Sequence, residues 1–182
     1  ARIQRLRDDS LLVVCDLNPN KNSAASQVCL WRGDAEGRQW EGPMETCCRG
    51  IVPDRVCELP DGKWLLMTHW KNPATDRLEV YAWRSADQGA HWTGPVPAAA
   101  DPELNLCEAS AVVLRDNRVV VLMRENSGLG RDCYKVFSSD GGEHWEGLCA
   151  LPLPGTHRPV AGRLQSGQYL ITYRMMQGGK GW

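Results

Sequence analysis

Several features that would place a chain in a class at once are missing here. No charge of one sign dominates: 21 Lys and Arg stand against 22 Asp and Glu in 182 residues, a net charge of −1. Nucleic-acid binders usually carry a clear basic excess, so no nucleic-acid partner is expected. Apolar runs such as Val119–Met123 fall far short of the roughly 18–20 residues of a spanning helix, so no membrane span is expected. There is no Cys-x-x-Cys pair and no His at zinc-ligand spacing, so neither a metal nor another cofactor is expected. Long helical periodicity is absent too. No leader is visible, but the sequence opens on Ala1 rather than Met, so that absence carries no meaning.

What remains is an ordinary globular composition, 42% hydrophobic and 24% charged, at a length that suits a single domain. Eight cysteines are present: Cys15, Cys29, Cys47, Cys48, Cys57, Cys107, Cys133 and Cys149. Most lie within apolar strand patterns. They read as buried free thiols, which leans toward a reducing, cytoplasmic compartment.

Two landmarks repeat with nearly the same period. Trp40, Trp92 and Trp145 are 52 and 53 residues apart, followed by Glu41-Gly42-Pro43, Thr93-Gly94-Pro95 and Glu146-Gly147-Leu148. The second landmark is a Leu, a polar pair and an apolar run, starting at Leu6, Leu59, Leu114 and Leu164. Its polar pairs, Asp8-Asp9, Asp61-Gly62, Asp116-Asn117 and Ser166-Gly167, tolerate positive φ and predict tight primed hairpin turns. Each unit reads as four strands. In the second unit these are Asp54–Leu59, Trp64–His69, Leu78–Arg84 and a short strand from Trp92. Such a unit has the size of a propeller blade, which cannot bury both its faces alone. The expectation is an all-β chain of one partial propeller over residues 1–182, with blade units at about 1–53, 54–107, 108–157 and an incomplete 158–182. About three and a half blades are too few to close a ring. The remaining blades of a six-bladed ring are therefore expected from chain outside this segment. An open stack would expose edges and apolar faces, so the isolated segment is expected to associate or dissolve poorly.

Ser85-Ala86-Asp87-Gln88-Gly89-Ala90-His91-Trp92 and Ser138-Ser139-Asp140-Gly141-Gly142-Glu143-His144-Trp145 both fit S-x-D-x-G-x-x-W, and Asp34 to Trp40 is a degenerate copy. The Asp can accept backbone N–H groups, the Gly permits an unusual φ, and the Trp buries a large ring in the blade core. This octapeptide resembles the Asp-box of sialidases and related BNR-repeat propellers, where it is a structural element rather than a catalytic one.

The B–C loops and the connections into the first strand of each blade lie at one end of the stack, opposite the turns and boxes. That end gathers Arg2, Asp16, Asp54, Arg55, His69, Glu108, Arg124, Glu125, Arg158 and Arg174. Arginines and carboxylates converging from four blades would suit an anionic or polyhydroxylated ligand. Arg2, Asp54, Arg55, Arg124 and Arg158 are the expected substrate-binding residues. The resemblance to sialidases implies more. Arg2-Ile3-Gln4 is similar to the Arg-Ile-Pro stretch that carries the first carboxylate-binding Arg, with Gln4 in place of Pro. Glu108-Ala109-Ser110 and Val121-Leu122-Met123-Arg124 resemble the Glu that serves as base for a catalytic Tyr and the second Arg. The Tyr and third Arg of that family belong to later blades. The loop that carries its acid/base Asp holds here only Asp16, in Asp-Leu-Asn-Pro-Asn-Lys-Asn-Ser-Ala-Ala-Ser. The implied function is a sialidase-like glycoside hydrolase acting on acidic sugars, with Glu108 catalytic. The alternatives are a carbohydrate-binding propeller without turnover and a glycosidase for another glycan. The resemblance also allows a secreted protein.

Overall fold

The computed structural model describes residues 1–18, 22–153, 155–177 and 180–181. The parts of the first B–C loop, of the last interblade connection and of the C-terminal loop named above that fall at 19–21, 154, 178, 179 and 182 lie outside the described residues. All regular structure among the described residues is β, in four antiparallel sheets that each follow chain order. The first holds β1 (Arg2–Arg5), β2 (Leu11–Leu17), β3 (Gln27–Gly33) and β4 (Trp40–Arg49). The second holds β5 (Cys57–Glu58), β6 (Trp64–Asn72), β7 (Arg77–Ser85) and β8 (Thr93–Ala99). The third holds β9 (Leu106–Val113), β10 (Val119–Glu125), β11 (Tyr134–Ser138) and β12 (Glu146–Ala150). The fourth holds β13 (Thr156–Arg163), β14 (Tyr169–Gln177) and β15 (Lys180–Gly181). This is a partial β-propeller.

The apolar runs of the second strands follow from burial on both faces. Along β6, Trp64 and Leu66 point into a core shared with Leu12, Val14, Val28 and Leu30 of the first sheet. Leu65 and Met67 point the other way, into a core with Leu106, Val119, Val121 and Met123 of the third. A smaller core joins Val112, Val120 and Leu122 to Ala161 of the fourth. Five cysteines are buried, but Cys47 and Cys149 are exposed because β4 and β12 are the outer strands of their sheets.

The hairpin turns differ from the primed type. In each, only the second residue of the polar pair has positive φ: Asp9 at 66°, Gly62 at 85°, Asn117 at 66° and Gly167 at 82°. The preceding Leu accepts from that residue's N–H and donates to the carbonyl one residue further on, as in Asp9 N to Leu6 O at 3.1 Å and Leu6 N to Ser10 O at 2.8 Å. One left-handed residue after a normal turn is the three-residue hairpin loop, whereas a primed I′ turn needs two.

The Asp-boxes have the predicted local bonding. Ser85 Oγ accepts from Gly89 N and Ser138 Oγ from Gly142 N, both at 2.8 Å. Asp87 accepts from His91 N at 2.8 Å and Asp140 from His144 N at 2.9 Å. The two full boxes also pack on the preceding sheet: a Cβ at Gly142, φ 92°, would sit 2.7 Å from Leu65, and one at Gly89 3.4 Å from Leu30. Trp92 is buried at 8% exposure, and Trp145 is half-buried. Trp40 departs from the expectation at 40% exposure, because its box has no preceding sheet to pack on in this chain.

Candidate functional site

The strands β1, β5, β9 and β13 line the axis, and side chains on or just before the first three bond to the backbone of the next blade. Gln4 Nε2 donates to Val56 O at 3.0 Å, Asp54 Oδ2 accepts from Ala111 N at 2.9 Å, and Ser110 Oγ accepts from Ala161 N at 3.1 Å. Just before these rungs the inner strands carry a bulge. Cys107 pairs with Arg124 and Ser110 with Leu122, so one residue is extra; His157 with Arg174 and Val160 with Thr172 repeat the pattern. The residue that starts each bulge is left-handed: Glu108 at φ 48° and Arg158 at 52°, with Val52 at 46° in the corresponding place of the second blade. Such a φ is disfavoured for a bulky residue and costs on the order of 1–3 kcal/mol. A bulge re-aims the side chain that follows the break in pairing.

Glu108 and Arg158 are thereby brought together with Arg124. Glu108 Oε2 lies 3.2 Å from Arg124 Nη1, and Oε1 lies 3.9 Å from Arg158 Nε. The Glu108 side chain is 15% exposed, and Arg124 Nε is buried with no partner among the described residues. His69 completes the group from the second blade. It is 4% exposed, and its Nδ1 accepts the Glu108 backbone N–H at 3.2 Å. Burial holds its imidazole down at about 4, with Glu108 opposing and Arg124 adding to the shift. It is therefore neutral, with its proton on Nε2. His69 has a sequence signal: it lies ten residues after Leu59, as Arg124 does after Leu114, Arg174 after Leu164 and Asp16 after Leu6. One strand position of every blade thus faces the same end of the axis.

Arg174 extends the cluster. Its Nη2 contacts His157 Nδ1 at 2.6 Å. A guanidinium only donates, so His157 also carries its proton on Nε2. Its imidazole is held below the usual range, first by burial and then by Arg124 and Arg174. Two guanidiniums thus flank one carboxylate, with a third beside His157, and the arrangement favours an anion.

Arg2 and Asp54 form a separate pair. Arg2 Nε is 4.0 Å from Asp54 Oδ1, which is otherwise without a partner among the described residues. Asp54 is 1% exposed, and burial pushes its carboxyl up. It can position Arg2, which is 24% exposed, but has no surface to offer a ligand. Arg55 does not join either group. Its Nη2 donates across the axis to Ala161 O. It borders a cavity of about 510 Å³ at the turn end, with Gln4, Arg7 and Arg163. Glu125, expected on the rim, is buried and braces its loop, accepting from Asn105 N at 3.0 Å and from Ser127 Oγ at 2.7 Å. Among the described residues, no three of His, Cys, Asp and Glu come together as a metal-holding group.

Comparison with known proteins agrees with the fold. A protein of unknown function from Dyadobacter fermentans superposes with a TM-score of 0.74 at 19% identity, over 96% of this chain and 56% of its own. The Hadza microbial sialidase Hz136 gives 0.74 at 16% identity, over 97% and 41%. An α-L-arabinanase of Penicillium chrysogenum gives 0.66 at 15% identity, over 95% and 56%. The chain thus spans about half the length of these structures. A search of curated proteins finds no match. The model of the BNR repeat-like domain matches residues 3–177, and the chain belongs to that family.

Proposed function

We propose that this chain supplies the acidic-sugar site of a sialidase-like glycoside hydrolase. The observation that carries the reading is the Glu108 carboxylate held between Arg124 and Arg158 at the axis. Guanidiniums read a carboxylate in a fork geometry that no other side chain matches. An arriving sugar acid would take over the N–H groups of Arg124 and Arg158, with Arg2 adding a further cation from the first blade. Glu108, released from these partners, would then accept a proton. In the retaining scheme that the family resemblance implies, it draws that proton from a Tyr hydroxyl supplied by another blade. The Tyr oxygen attacks the anomeric carbon, and a separate acid protonates the departing oxygen. The names of the sialidase and arabinanase neighbours support a sugar ligand.

A second reading, binding without hydrolysis, is favoured by one observation: the first B–C loop offers no carboxylate beyond Asp16. The arabinan-acting neighbours leave room for a different glycan. A sialoside assay on the protein carrying this chain separates these readings. Arg124→Ala should lower kcat/KM by about 100-fold, and Glu108→Gln should lower kcat while sugar binding persists. Sugar binding with no product release would support the binding module. Full turnover by Arg124→Ala would contradict the acidic-sugar site.

A further inference from the structure

The other mouth of the axis, at the hairpin-turn end, carries a charge that the Glu108 group does not use. A cavity of about 510 Å³ opens there, bordered by all four blades and within the range of small-ligand pockets. Five guanidiniums line it, from Arg5, Arg7, Arg55, Arg115 and Arg163, against one carboxylate, Glu58. The repeat places four of them: Arg5 and Arg163 stand directly before the recurring Leu of their blades, Arg7 and Arg115 directly after it. Carbonyl oxygens hold most of them. Arg5 donates to Asp9 O at 2.8 Å and Ala35 O at 3.0 Å, and Arg7 to Leu59 O at 3.0 Å and Glu58 O at 2.9 Å. Arg55 donates to Ala161 O, and Arg115 to Gly167 O at 3.3 Å. Arg163 is exposed, with no partner for its guanidinium among the described residues. It meets Arg115 over Gly167, where a Cβ would stand 3.6 Å from Arg115 Nη2 and 3.7 Å from Arg163 Nη2.

A carbonyl fixes a guanidinium without cancelling its charge. Glu58 does not cancel it either: its carboxylate accepts the Arg7 backbone N–H, at 3.2 and 3.3 Å, and makes no ion pair among the described residues. Three of the hairpin-turn carboxylates are paired elsewhere, Asp8 with Arg32, Asp61 with Lys63 at 2.9 Å and Asp116 with Arg118 at 2.8 Å. In a chain of net charge −1, this mouth therefore holds a concentrated positive field. A phosphate or sulfate group presents three terminal oxygens and can accept from several guanidiniums at once, where a carboxylate offers two. We infer that this mouth binds a compact polyanion carrying two or more phosphate or sulfate groups, one of them held between Arg115 and Arg163. The site is separate from the Glu108 group and does not depend on the acidic-sugar reading.

Calorimetric titration of tripolyphosphate, and of lactose carrying two sulfates, tests it on the protein carrying this chain and separates the two sources of such groups. At least one probe should bind saturably, one per chain, and the tighter of the two names the group. Arg115→Ala and Arg163→Ala should each weaken that probe by about tenfold, with a smaller loss in Arg163→Lys, which keeps the charge. Arg163 has no protein partner to lose, so the melting temperature of Arg163→Ala should match that of the unmodified protein. Arg124→Ala, at the far mouth, should leave the affinity for the probe unchanged. Failure of both probes to bind, or affinity that survives Arg115→Ala and Arg163→Ala, would overturn the inference. So would affinity lost in Arg124→Ala, which would return the anion to the Glu108 group.

Discussion

At the scale of single residues, His69 shows how burial sets chemistry. Its imidazole titrates at about 4 in the folded chain, against the ordinary 6.5. Between those values the unfolded chain takes up a proton that the folded chain refuses, so this residue makes stability fall as pH drops through that window. Protonated His69 could no longer accept the Glu108 N–H, and the bulge that aims Glu108 would lose its anchor. Melting temperatures followed from about pH 7 to about pH 4 should therefore decline less steeply in His69→Asn, which cannot titrate. An identical slope would place the acid sensitivity elsewhere. Little of this is legible in the sequence. The offset from Leu59 puts His69 at the right end of the blade, but its tautomer depends on a left-handed Glu108 that no local propensity predicts. Arg55 is the converse case: its type and place suggest a ligand contact beside Glu108, yet its guanidinium turns to Ala161 O and the opposite mouth. A side chain that long can serve either mouth of the axis, and only packing decides which.

At the scale of elements, the Asp-box was readable because its bonds are local. Ser, Asp and Gly within a few residues satisfy one another's backbone groups, so the spacing alone specifies the turn. Ser138 is fully buried, and its hydroxyl accepts the Gly142 N–H while donating to Asp140 at 2.9 Å. Ser138→Ala should destabilise the chain by about 1–2 kcal/mol in denaturant titration, by leaving that N–H unpaired. Sugar affinity should not change, because the box lies at the end of the blade opposite Glu108. A variant that loses affinity at unchanged stability would contradict the structural role. The inner-strand bulges were not readable in the same way. Their extra residue is visible only once β9 is paired with β10 and β13 with β14. Glu108 and Arg124 are marked in the sequence only by the family resemblance, and the approach of Arg158 to Glu108 depends on the pairing geometry.

At the scale of the whole molecule, repetition made the architecture legible. Two landmarks with one period define a blade, and apolar second strands declare that both faces of a blade are covered. The exposed large apolar side chains agree with this. Leu129 aside, those among the described residues belong to the first and fourth sheets, including Ile3, Leu17, Leu170, Tyr173 and Met175. These end sheets have only one neighbouring sheet each within the chain. Between them, the axis collects one strand position from every blade, and the charge gathered there forms the candidate site.

The most direct test of that site compares a sugar acid with its methyl ester, which keeps the shape and removes the charge. Calorimetric titration of N-acetylneuraminic acid should show affinity at least about tenfold above that of the ester. In Arg124→Ala the two should bind about equally weakly. Equal affinity of acid and ester for the unmodified protein would contradict the claim that Arg124 and Arg158 read a carboxylate.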